Sequence, residues 1–403
     1  MNEIGVTQKQ PQRFHSPLHI AMAVAVLMAM IYMTLVQMNR KAAETNFQTF
    51  VIHLRGAQYK EAERDITAAL ARCSDDAYYH SNQGLLSERV VNGRVDFSLL
   101  PQASFSFQAE DVSRLEAALS AYNQATAFNP NDACFYHNIG WLYWLTGDKN
   151  SARHSLRKAT EIDPDVATYH VSLGLFSESE GDLDSAASEY AAALRGSPAA
   201  LDSRFFRDLN NRSAALAGRA KAMAIANLEV RGTNDEIAAA QLGRLYLDDD
   251  QSRARELLSR ATELLPNLSR AWLNLGTTVE REGDSANAER CYRKAVFLDK
   301  SDYLSASALG AVCEREGHTE EAISWYSKAI ENWDQLISIH ALRAARVYNT
   351  PYVVRDDIIP RGLLAYTEPE LDRPGICLRL AALYERTGDP AKAAYFRGQS
   401  GPK

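Results

Sequence analysis

Gly140-Trp-Leu-Tyr143-Trp-Leu-Thr-Gly147-Asp-Lys-Asn-Ser-Ala152-Arg-His-Ser-Leu156-Arg-Lys-Ala159-Thr-Glu-Ile-Asp-Pro164 is the stretch that decides the fold. A step of 34 residues carries its marked positions onto Gly174, Ser177, Gly181, Ala186, Tyr190, Ala193 and Pro198. The register returns as Gly276, Val279, Gly283, Ala288, Tyr292 and Ala295. A further 34 residues give Gly310, Cys313, Gly317, Ala322, Tyr326 and Ala329. A period of this size denotes stacked units, each too small to bury its own apolar face, rather than one closed globule.

Within each unit the spacing reads as two amphipathic helices joined by a tight turn. Gly140, Gly174, Gly276 and Gly310 mark close crossings on first helices, and Ala152, Ala186, Ala288 and Ala322 on second helices. Helix axes pack about 8–10 Å apart, and larger residues at these points would push them further. Gly147-Asp148, Gly181-Asp182 and Gly283-Asp284 form the turns, where glycine takes a positive φ without steric cost.

The expected class is all-α, a solenoid of antiparallel helix pairs. Residues 43–200 form a first array, beginning with the pair Glu44–Leu54 and Tyr59–Arg72. An insertion at about 90–112 delays one second helix, Arg114–Phe128. It contains Val90-Val91-Asn92-Gly93-Arg94-Val95-Asp96-Phe97, a hairpin signal, and Phe105 and Phe107 beyond it. Residues 201–234 are a degenerate unit, 235–336 a central array, 337–374 an irregular unit and 375–403 a truncated cap. In the irregular unit a helix is expected near Ile337–Tyr348, and Pro351, Pro360 and Pro374 exclude an uninterrupted pair.

These residues resemble the tetratricopeptide repeat pattern from about 43 to 400. The resemblance implies a right-handed superhelix whose concave face, lined by first helices, binds protein ligands. It is nearly silent on which ligand, because the pattern residues are structural. The positions that would face the concave side include His137, Asn138, Trp141 and Trp144 in one unit, and Leu175 and Glu178 in the next. Later units offer Arg270, Asn274, Thr277 and Arg281, then Glu314 and Arg315. Trp141 and Trp144, three apart on one face, either pack beneath the neighbouring helix or form an aromatic strip for a peptide, a partner helix or a sugar ring. Asn138 and Asn274 sit where a family subgroup places clamp asparagines for carboxylate ends, but its lysines are missing.

Ile20 to Met38 is almost wholly apolar. As a helix it would rise about 28 Å, close to the hydrocarbon thickness of a bilayer. A single-pass anchor is expected, after a tail at 1–19, rather than a cleaved signal peptide, whose apolar core is shorter. Lys9 and Arg13 precede the span and Arg40 and Lys41 follow it, so charge alone leaves the orientation balanced. A bacterial inner membrane with the repeats on the periplasmic side is the expected setting, from the basic tail ahead of the span.

Across 403 residues, 46% are hydrophobic and 24% charged, and the net charge of −7 gives no electrostatic footprint for nucleic acid. The five cysteines include no Cys-x-x-Cys pair and set out no metal-ligand spacing. There is no phosphate loop, zinc-protease signature or nucleophile elbow. The expectation is a protein without catalysis, cofactor or metal, and with a small-molecule ligand only as a lesser prospect. It would be a membrane-anchored scaffold for protein partners in a cell-envelope process such as polysaccharide assembly or secretion. The alternatives are a glycan-binding groove at the tryptophans and, below that, an enzyme built in the irregular segments.

Overall fold

In the computed structural model of the chain, residues 17–56, 58–90, 109–232, 235–343, 369 and 371–400 are described, the side chains at 17–20, 23, 55, 89–90, 109 and 337–343 excepted. Of the hairpin expected at Val90–Phe97, Val90 is the last residue of α3, and the rest, with Phe105 and Phe107, lies outside the described residues. Helices follow one another as α1 (Pro17–Arg55), α2 (Tyr59–Arg72), α3 (Ala77–Val90), α4 (Ala109–Phe128), α5 (Ala133–Thr146), α6 (Lys149–Ile162), α7 (Ala167–Ser179) and α8 (Leu183–Gly196). A 3-10 turn, Pro198–Asp202, leads to α9 (Arg204–Arg212) and α10 (Ala214–Arg231). Then come α11 (Glu236–Tyr246), α12 (Gln251–Leu264), α13 (Ser269–Arg281), α14 (Ser285–Leu298), α15 (Tyr303–Arg315), α16 (Thr319–Arg343), α17 (Arg373–Arg386) and α18 (Pro390–Gln399). Among the described residues there is no strand, only an isolated antiparallel bridge between Ser203 and Pro369. The fold is an all-α repeat solenoid.

The repeat spacing acts where it was expected to. A Cβ placed on Gly276 would lie 2.6 Å from the Tyr292 ring, and one on Gly310 would lie 2.8 Å from Tyr326. Gly140 meets Leu156 in the same way, and Gly174 meets Tyr190. The turn glycine Gly147 has φ 92°, a conformation that L side chains rarely adopt. The aspartates that follow three of these glycines cap the second helices: Asp148, Asp182 and Asp284 accept from the backbone N–H of Ser151, Ser185 and Asn287. The core consequently runs in successive patches along the array, not around one centre.

Three boundaries differ from expectation. The expected anchor and the first repeat helix are a single helix, because no Gly or Pro interrupts the chain between Pro17 and Gly56. Its second half buries Ala43, Phe47, Phe50 and Leu54 against α2 and α3, while Met22, Leu27, Ile31, Leu35 and Met38 on the first half are exposed. Among the described residues no helix is long and apolar enough to cross a membrane. The side chains of Ile20 and Ala23, within the expected span, lie outside the description. In the irregular unit, the helix expected to begin near Ile337 is the continuation of α16, again for want of a breaker between Thr319 and Arg343. The first helix of the cap, α17, starts at Arg373, ahead of the boundary expected at 375, with Pro374 in its first turn, where its missing N–H has no intrahelical partner to lose.

The unit at 201–234 has helices in a different arrangement. Its first helix, α9, has nine residues, too few to cover a full second helix. α10 lies along α8 instead, through a stripe of Leu216, Ala220, Ala224 and Leu228 at four-residue spacing.

Candidate functional site

The twelve residues singled out in the sequence divide into three environments. The first is packed interior. Asp132 caps α5, and His137, Trp141 and Trp144 turn inward against α7, while Asn138, also buried, donates to Cys134 within α5. Trp141 is fully buried and Trp144 is 8% exposed. Their rings lie 4.7 Å apart, and Trp144 meets Phe176 edge-on at 5.4 Å. The Trp141 indole N–H is shared between His137 Nε2 at 3.1 Å and Ser172 Oγ at 3.2 Å. Burial pushes the His137 imidazole down to about 3, so it is neutral. The aromatic strip is therefore corrected: both tryptophans are spent on packing between adjacent first helices and present no ring face to a ligand. Leu175, 2% exposed, is likewise interior.

The second environment is a repeated clamp. Tyr190 donates to Glu178 at 2.6 Å, and Arg212, from the next unit, donates to the same carboxylate at 3.0 and 3.2 Å. Tyr292 and Arg315 hold Glu280 in the same way, and Tyr326 and Arg379 hold Glu314. Burial, reinforced by the carboxylate, raises the Tyr292 and Tyr326 phenols, so they remain donors. Arg281 makes a related bond across units, to the Leu247 carbonyl at 2.8 Å and Asp248 at 2.9 Å. Thus Glu178, Arg281, Glu314 and Arg315 tie units together.

Tyr190, Tyr292, Tyr326, Arg212 and Arg379 were not singled out as partners of these residues. A signal for the first three existed. Glu178, Glu280 and Glu314 each follow their helix glycine by four residues, and the tyrosines follow it by 16. Where position four is Trp144, position 16 is Leu156, so an apolar pair replaces the polar one.

The third environment is accessible. Arg270, Asn274 and Thr277 lie along α13, partly exposed, beside the half-exposed guanidiniums of Arg281 and Arg315. Arg270 sits 3.7 Å from the buried carboxylate of Asp302, and Thr277 donates to the Leu273 carbonyl. This strip is a mixed polar surface whose arginines are each paired with a carboxylate, Arg270 with Asp302, Arg281 with Asp248 and Arg315 with Glu280, and it is suited to hydrogen-bonding a protein surface. Elsewhere, a groove of about 780 Å³ opens among α2, α3 and α4, lined by Lys60, Glu63, His80, Gln83 and Arg114. Among the described residues no group of His, Cys, Asp or Glu is arranged to hold a metal ion.

Models of the tetratricopeptide repeat match residues 135–166 and 273–337, and the chain carries tetratricopeptide repeats there. It is similar to the BBSome complex member BBS4 of Bos taurus, at 25% identity over 53% of this chain and 41% of that protein. It is also similar to the cellulose synthase operon protein C of Xanthomonas axonopodis pv. citri, at 29% identity over 36% of this chain and 10% of that protein. The type IV pilus assembly protein PilF of Pseudomonas aeruginosa is 26% identical over 47% of this chain and 63% of its own length. The chain thus spans less than two thirds of each of these relatives. Among solved structures, yeast Tom70 aligns over 77% of this chain and 55% of its own, with 14% identity and a TM-score of 0.40.

Proposed function

We propose that this chain is a membrane-tethered repeat scaffold that binds protein partners of a cell-envelope process. The observation that carries the reading is the continuity of α1. One helix exposes a run of large apolar side chains over its first half and buries Phe47, Phe50 and Leu54 in the first repeat with its second. An exposed apolar run of this length is stable only when covered, and a bilayer covers it along its whole circumference. The repeat body would then be held by a stiff helix, not by a flexible linker. The names of the two bacterial relatives, one of a cellulose synthase operon and one of pilus assembly, support an envelope setting. In this reading the repeats lie on the periplasmic side, with the α13 strip at Arg270, Asn274 and Thr277 as the partner-facing surface.

One experiment tests side and surface together. Asn274→Cys and, as control, Phe297→Cys on the exposed face of α14 are placed in the full chain in its native host. Intact cells are treated with a membrane-impermeant thiol cross-linker. The reading expects a defined adduct to an envelope protein from Asn274→Cys and none from Phe297→Cys or the unmodified chain. Equal adducts from both positions contradict the surface, and adducts that form only after lysis contradict the side.

A further inference from the structure

One joint between repeats is built unlike the others. In five units the residue before the first-helix glycine is Ile139, Leu173, Leu242, Leu275 or Leu309, each of them buried. In α3 that place, before Gly84, is held by Gln83, which is half-buried. The apolar core is interrupted there: one cluster of buried side chains ends at Leu86, and the next begins at Leu115 on α4. Between α2, α3 and α4 the joint stands open as the groove of about 780 Å³. The chain thus gives up the burial that a leucine supplies at this place elsewhere. Departures from a local packing rule collect at functional sites.

The groove gathers polar groups that the fold itself does not use. Gln58 ahead of α2, Tyr59 on it, Gln83 on α3, and Ser120 and Gln124 on α4 all line it. Among the described residues none of these five side chains makes a hydrogen bond, and Lys60, Glu61 and Glu63 beside them make no ion pair. The α13 strip differs, since Arg270, Thr277 and Arg281 all have partners within the chain.

This lining selects a class of ligand. A carboxamide or a hydroxyl both donates and accepts, as each hydroxyl of a sugar does. Tyr59 adds an apolar ring face with a polar tip, which matches the C–H face and hydroxyl edge of a sugar ring. The large apolar residues of the groove, Ile66 and Leu86, are buried in its floor, so it offers no deep seat for the apolar side chains of a peptide. Lys60 is outnumbered by Glu61 and Glu63, which disfavours a polyanion. The volume lies within the range of small-molecule sites, about 300–1,000 Å³.

We propose that the groove among α2, α3 and α4 binds an uncharged oligosaccharide, held by the carboxamides of Gln58, Gln83 and Gln124 and the hydroxyls of Tyr59 and Ser120. Such a site is separate from the protein-facing strip on α13 and from the packed tryptophans of α5. It goes beyond the scaffold reading and does not depend on it.

The test is isothermal titration calorimetry of the full chain, in a detergent without a sugar head group, against cellotetraose, maltotetraose and chitotetraose. Saturable binding of at least one is expected. Gln83→Leu restores the residue type of the other units. It is expected to weaken that binding about tenfold or more, while the melting temperature stays or rises. Gln124→Ala, at an exposed position, is expected to cost about threefold to tenfold. Asn274→Ala on α13 is expected to change nothing. Binding of none of the three sugars overturns the proposal, as does binding that survives both Gln83→Leu and Gln124→Ala. An acetylated tetrapeptide amide of alternating serine and alanine is titrated beside them. If it binds and the sugars do not, the groove takes a peptide and the proposal is overturned. Should Gln83→Leu fail to fold, Gln58→Ala with Gln124→Ala, both exposed, makes the same comparison. Failure here with intact cross-linking from Asn274→Cys sinks only this groove.

Discussion

His137 shows how a residue chosen as a binding candidate can be a structural one. Its ring is enclosed between α5 and α7, within reach of Trp141 and Ser172, and burial holds it neutral down to about pH 3. The unfolded chain binds that proton near pH 6.5. Stability from this group is therefore complete above pH 6.5 and declines as the pH falls towards 3, by up to about 1.4 kcal/mol per pH unit. Urea melts of the full chain at pH 7 and pH 5 should show the decline. His137→Gln, though less stable at pH 7 from lost packing, should show a smaller one. An identical drop in both proteins would mean that His137 is not the titrating group. The capping aspartates act at lower pH: backbone N–H bonds hold the Asp148 and Asp182 carboxyls below their ordinary range. Their contribution is lost only as the pH falls through that lowered value.

At the scale of the element, the Tyr–Glu–Arg clamp is the recurring contact that joins one helix pair to the next. The sequence made the helix pairs legible because glycine, alanine and proline at fixed steps have one physical use each. The clamp was harder to see. Its arginine comes from the following unit, where its place shifts: Arg212 follows its glutamate by 34 residues, Arg315 by 35 and Arg379 by 65. A contact whose partner slides in sequence leaves no period. The burial of Trp141 was likewise undetermined by spacing, since a residue facing the groove and one facing the next first helix differ by a small rotation of α5. The continuity of α1 and α16 was legible in the absence of Gly and Pro, but the repeat period suggested breaks there. For the clamp itself, Tyr292→Phe should lower the stability of the full chain by about 1 kcal/mol. A double-mutant cycle between Arg315 and Glu280, which are partly exposed, should give a coupling of only about 0.5 kcal/mol. A coupling near zero with an unchanged Tyr292→Phe melt would leave packing alone to join the units.

For the whole molecule, the account joins an apolar helix end to a repeat body through one uninterrupted helix. Its first half has no partner among the described residues that could bury Leu27, Ile31 and Leu35, and its second half cannot leave the first repeat without exposing Phe47 and Phe50. The apolar first half and the repeat body should therefore move as one, and a change confined to the first should leave the second folded. The direct measurement is flotation of the purified full chain with phospholipid vesicles on a density gradient, beside the double variant Leu27→Asp, Ile31→Asp. Two ionised carboxylates in the apolar run cost several kcal/mol on insertion, about 2.5–3.5 kcal/mol each on translocon scales. The account predicts that the unmodified chain floats with the vesicles, while the variant stays at the bottom with the same helical content and melting. An unmodified chain that stays at the bottom, or a variant that floats as well as it does, would contradict the account.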